Sequence, residues 1–133
     1  MSLAMFMEVG AGGPLGAMSR YGVAQIVCGG LFGIAGPLAT LVVNVVGSSL
    51  MGAIAGGIAA GMSLPAAWRG FIADRFLGAL TTFSSSALDT GQLAVRQGMA
   101  MTVLYVGLSV GLSPAAFFAK QAFVTALIGR MPG

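Results

Sequence analysis

Histidine is absent from this chain, cysteine occurs once, and charge of either sign is scarce. With no imidazole and only three acidic residues (Glu8, Asp74 and Asp89), there is no paired-carboxylate site and no nucleophile–base set, which argues against an enzyme. The single thiol, Cys28, has no partner for an internal disulfide and makes no metal site; in its apolar stretch it reads as packing. Charged residues make up 7% of the 133, whereas a soluble domain carries roughly a quarter. Six basic and three acidic side chains cannot cover a water-soluble surface of that length, so lipid must be the solvent. The net charge is +3, but Arg20, Arg69, Arg75, Arg96, Lys120 and Arg130 are scattered and form no patch, which argues against a nucleic-acid partner. No basic segment precedes the first apolar run, so the N-terminus does not read as a cleaved signal.

What fills the chain is apolar: 57% of residues are hydrophobic and the mean hydropathy is +0.97. Its 22 glycines and 9 methionines suit membrane helices that pack closely through small residues. A crossing helix needs about 20 mostly apolar residues. Four segments qualify, at about residues 5–28, 38–62, 68–92 and 99–128, giving an all-α integral membrane protein with a single membrane domain over residues 1–133. The second span contains no charge. Gly29 to Pro37 makes the first turn and Ser63-Leu64-Pro65 the second, while Lys120 lies close enough to the end of the fourth span to snorkel. Asp74, Arg75 and Asp89 flank the third span and are expected at the membrane interface. Both termini then share one side, with Arg69, Arg75, Lys120 and Arg130 near it and Arg20 and Arg96 nearer the other. The positive-inside rule puts the termini in the cytoplasm by a small margin, a bias slight enough to be compatible with insertion both ways. Small residues recur every fourth position at Ser48, Gly52, Gly56 and Ala60, at Gly12 and Gly16, and at Gly107 and Gly111, which predicts three close helix seams.

Polar residues inside a span are expensive and each needs an account. Asn44 sits in the charge-free span with Thr40 one turn before it and Ser48 one turn after, a polar stripe on one face. Its amide either bridges two helices or faces an aqueous path and donates to an anion. On the fourth span Tyr105, Ser109 and Ser113 repeat the spacing, and three hydroxyls in register can donate to a dehydrated anion without the trapping that a full positive charge would cause. The third span carries Gly78-Ala79-Leu80-Thr81-Thr82-Phe83-Ser84-Ser85-Ser86, whose hydroxyls compete for backbone groups and predict a helix broken in mid-membrane. Such a break survives only where protein or a wet cavity satisfies the freed groups, and it favours ion sites. Phe83, within it, either packs or offers its positive ring edge to an anion. Arg20 is the one cation well inside a span and is read as structural.

Together these residues resemble the Fluc (CrcB) family of fluoride channels. The likeness covers nearly the whole chain: Gly12-Gly13-Pro14-Leu15-Gly16-Ala17 leading to Arg20-Tyr21, then Leu41-Val42-Val43-Asn44 with Gly47, then Gly78 through Ser84. The resemblance implies an antiparallel dimer of four-helix subunits in the inner (cytoplasmic) membrane, with two narrow pores and passive fluoride export. It implies fluoride contacts for Asn44 and Phe83, continued by Tyr105, Ser109 and Ser113, and a structural sodium ion at the dimer centre on backbone carbonyls of Gly78 and Thr81. Three positions depart from the family pattern: Ser86 stands where a second phenylalanine is usual, Phe117 where threonine usually ends the hydroxyl row, and Arg75 where glycine is usual. Some members of the family pair unlike subunits, so the partner is either a second copy or a paralogous chain.

Two other readings compete. A small proton-coupled multidrug exporter needs a membrane-embedded carboxylate, for which Glu8 is the only candidate, near the beginning of its helix. A non-transporting membrane subunit held by glycine seams would leave the Asn44 stripe and the interrupted third span unexplained.

Overall fold

The computed structural model describes residues 3–28 and 35–130. Within them the chain is helical with no strand: α1 spans Leu3–Cys28, α2 Ala35–Ala59, α3 Ala66–Arg69, α4 Gly78–Leu80, α5 Phe83–Arg96 and α6 Met99–Ile128. A π-helical stretch, Gly70–Leu77, joins α3 to α4 without interruption. Most of the expected first turn, residues 29–34, lies outside the described residues, as do the side chains of Glu8 and Cys28. Pro37 belongs to α2 rather than to the turn, because proline is tolerated in a helix's first turn, where its missing N–H has no partner to lose.

Among the described residues two helices are long and apolar enough to cross a membrane: Gly36–Ala59, of 24 residues, and Met99–Ile128, of 30. At 1.5 Å per residue even the shorter is about 36 Å long, more than the roughly 30 Å of a bilayer's hydrocarbon core. Their outward side chains, among them Leu50, Val103, Leu112 and Phe118, are apolar and exposed, as a lipid-facing surface requires. Lys120 is exposed near the end of α6, with Nζ 5.4 Å from the centre of the Phe123 ring.

α2 and α6 form the largest helix pair, and two glycines set their separation. A Cβ at Gly52 would collide with the Phe117 carbonyl, and one at Gly56 would sit 2.5 Å from the Gln121 carbonyl. The backbones meet so closely that Thr125 Oγ1 donates to the Gly56 carbonyl at 3.2 Å. On α1, Gly12 and Gly16 play the same part against the π-helical stretch: a Cβ at Gly16 would strike the Phe76 carbonyl. The third expected seam is absent from the described residues, since a Cβ at Gly107 or Gly111 would meet nothing within 4 Å. Each lies two residues before a serine of the hydroxyl row, about 200° around the helix, and so faces away from the rest of the chain.

The core gathers Val43, Leu77 and Leu80, with Val23, Met51, Ile54, Ile72 and Phe76 packed around them. Asp89 is buried within the chain. It points inward from α5 to the start of α2, where a Cβ on Gly36 would lie 3.6 Å from its Oδ1, next to the positive end of a helix.

The helix stops at Leu80. Thr81 (φ −82°, ψ 153°) and Thr82 (φ −157°, ψ 127°) are extended, and α5 begins at Phe83. Hydroxyls make both ends: Thr81 Oγ1 donates to the Leu77 carbonyl at 3.0 Å, and Thr82 Oγ1 caps α5 by accepting the Ser85 N–H at 3.3 Å. Adjacent threonines, poor in helices and good at caps, are the local cause.

Candidate functional site: a cleft at the helix break

A cleft of about 720 Å³ opens where the Thr81–Thr82 break faces α2 and α6. α2 contributes Asn44 and Ser48. The break and α5 contribute Gly78, Thr81, Thr82, Phe83, Ser86 and Thr90, and α6 contributes Tyr105, Ser109, Ser113 and Pro114. No charged side chain among the described residues lines it, so its donors there are a neutral amide and hydroxyls.

Asn44 ties α2 to the break. Its Oδ1 accepts the Thr82 N–H at 2.9 Å, and its Nδ2 donates to the Thr82 carbonyl at 3.3 Å and to Ser86 Oγ at 3.0 Å. The first bond fixes the amide's orientation, because a flipped amide would set NH2 against N–H. It also diverts a backbone donor. In an uninterrupted helix the Thr82 N–H would serve the Gly78 carbonyl, and the Ser85 N–H would serve that of Thr81. Here the former goes to Asn44 and the latter to Thr82 Oγ1, so both carbonyls are released from the helical ladder. Released carbonyls are hard oxygen donors of the kind a small cation binds.

Ser86 Oγ accepts from Asn44 and donates to the Thr82 carbonyl at 3.2 Å. Thr90, one turn on, donates its hydroxyl to the Ser86 carbonyl at 2.7 Å. Across the cleft, the oxygens of Tyr105, Ser109 and Ser113 are enclosed, and none has a hydrogen-bond partner among the described residues. Serines in a helix ordinarily bond back to their own backbone, and buried hydroxyls ordinarily find a partner. The three hydroxyls form one row of potential hydrogen-bond donors along α6.

Phe83 stands at the rim, 85% exposed. Thr40 is half-buried one turn before Asn44 and does not line the cleft, and neither does Arg20, since α1 contributes no residue to it. The Phe117 ring meets that of Phe118 edge-on at 5.3 Å, and its carbonyl faces Gly52, so the hydroxyl row stops at Ser113. Thr82 and Thr90 were missed in the sequence reading. A threonine immediately before a helix start was the available signal for Thr82; for Thr90 it was the four-residue step from Ser86.

A family model described as CrcB-like protein, Camphor Resistance (CrcB), matches residues 7–120. Similar curated proteins include fluoride-specific ion channel FluC 2 of Nitrobacter hamburgensis, 40% identical over 119 residues, which are 90% of this chain and 95% of that protein. The fluoride-specific ion channel FluC of Cereibacter sphaeroides is 40% identical over 122 residues, 92% of this chain and 95% of that protein. The FluC of Vibrio cholerae is 42% identical over 98 residues, 74% and 76% of the two chains.

Proposed function

The chain belongs to the CrcB-like family, whose similar members are membrane channels and not enzymes, and we propose that it is one subunit of a fluoride channel that lets the anion leave the cell passively. The observation that carries this reading is the row of hydroxyls on Tyr105, Ser109 and Ser113 in a cleft that no charged side chain of the described residues lines. A small, strongly hydrated anion gives up water only where several donors replace it, and neutral donors do so without holding the ion permanently. Asn44 and Ser86 face this row from the other side, Phe83 offers its ring edge at the rim, and Thr40 extends the polar stripe of α2.

In this account α1, α2, the α3–α5 unit and α6 are four spans in the inner (cytoplasmic) membrane. The break between Leu80 and Phe83 is sustainable at membrane depth because Asn44 satisfies the freed backbone. Two subunits associate antiparallel, the partner being a second copy or a paralogous chain, and Arg20 has a structural part. The released carbonyls of Gly78 and Thr81 suit a sodium ion at the dimer centre, which would fix the two breaks against each other. The test is fluoride-electrode efflux from liposomes containing only this chain. Fluoride release supports the channel and a pairing of like subunits. Release only after co-expression with a paralogue supports unlike subunits, and no release in either arm overturns the reading.

A further inference from the structure

Asn44 has no hydrogen left to give an ion. Its two amide hydrogens go to the Thr82 carbonyl and Ser86 Oγ, and its oxygen holds the Thr82 N–H. The Thr82 carbonyl is likewise used twice, since Ser86 Oγ donates to it. Asn44, Thr82 and Ser86 thus form a closed triangle on the cleft wall, 38 and 42 residues apart along the chain at its two long-range edges.

The hydrogens of this triangle differ in how easily they leave it. Swinging out the Asn44 amide breaks three bonds, including the one that holds the helix break open. Turning the Ser86 hydroxyl about its C–O bond breaks one, the 3.2 Å bond to the Thr82 carbonyl. That carbonyl keeps its bond from Asn44, so no polar group is left unpaired. Throughout the turn Ser86 Oγ still accepts from Asn44 Nδ2, and an oxygen that accepts a hydrogen bond becomes a stronger donor.

We infer that Ser86 is the anion-contacting donor on this wall and that Asn44 is a positioning residue acting through it. The hydroxyl rests on the Thr82 carbonyl between ions and turns to the anion as it passes. This assignment rests on the fluoride-channel reading and adds to it which of two neighbouring polar residues touches the ion.

The test uses the full chain in liposomes, alone or with a co-expressed paralogue, and reads fluoride efflux and the half-saturating fluoride concentration. Threonine and valine have nearly the same shape and differ in the hydroxyl, so Ser86→Thr and Ser86→Val separate donation from packing. Ser86→Thr is expected within about twofold of wild type, and Ser86→Val about tenfold slower or worse, with a raised half-saturating concentration, as for a lost bond to a charged group. Asn44→Ala is expected to lose at least as much, and adding Ser86→Val to it to lose nothing further, because one acts through the other. Equal rates for Ser86→Thr and Ser86→Val, or additive losses in the double variant, overturn the assignment while wild-type efflux keeps the channel. Absent wild-type efflux overturns both.

Discussion

Replacing Asn44 with aspartate exchanges the amide NH2 for a carboxylate oxygen and should nearly abolish fluoride flux. One carboxylate oxygen still accepts the Thr82 N–H, so the helix break keeps its anchor. The other now faces the Thr82 carbonyl, where an N–H donated before, and it takes the Ser86 hydroxyl hydrogen that the anion needs. It also sets a fixed negative charge on the cleft wall. Two unit charges about 4 Å apart repel by about 4 kcal/mol at an effective dielectric of about 20. At about 1.4 kcal/mol per decade that alone is a rate loss approaching a thousandfold. Initial efflux from liposomes, read with a fluoride electrode and normalised to incorporated protein, measures it. Efflux within a factor of ten of wild type would refute the reasoning, because a passing anion could then not be near Asn44.

Further outcomes follow from the packing and the rim. Gly52→Val drives a branched side chain into the Phe117 carbonyl and should cost about 1–3 kcal/mol, seen as a lower thermal-aggregation midpoint in detergent. Phe83→Ile should cut fluoride efflux about tenfold, the loss expected for a contact worth roughly 1.5 kcal/mol, while leaving protein yield unchanged, since the ring is 85% exposed and holds no core together. Glu8→Gln should leave efflux within about twofold of wild type, since no described residue of α1 lines the cleft. Abolished transport in that variant would point to a proton-coupled carrier.

Hydropathy made the long apolar helices legible, because burial in lipid imposes the same demand along every turn of α2 and α6. The four-residue steps of Asn44 and Ser48, and of Tyr105, Ser109 and Ser113, placed those side chains on one face of each helix, and the two faces line one cleft. The hydroxyl-rich run gave the position of the helix break, since it contains the caps themselves. Periodicity along one helix carries no information about what lies across from it. That Asn44 gives its amide to Thr82 and Ser86 is a pairing between distant segments, set by the fold and not by local spacing. The same limit hides that Asp89 is buried against the start of α2. It explains Gly107 and Gly111 too, whose spacing matches a seam although their face meets no partner within the described residues.

The central claim is that neutral donors lining the cleft at the helix break carry fluoride across the bilayer. Its most direct test is a record, with fluoride- and chloride-selective electrodes, of efflux from chloride- and fluoride-loaded liposomes holding this chain, alone and with a co-expressed paralogue. The account predicts rapid fluoride release with chloride retained, abolished by Asn44→Asp. Liposomes that keep their fluoride in both preparations, or that release chloride equally, would contradict it.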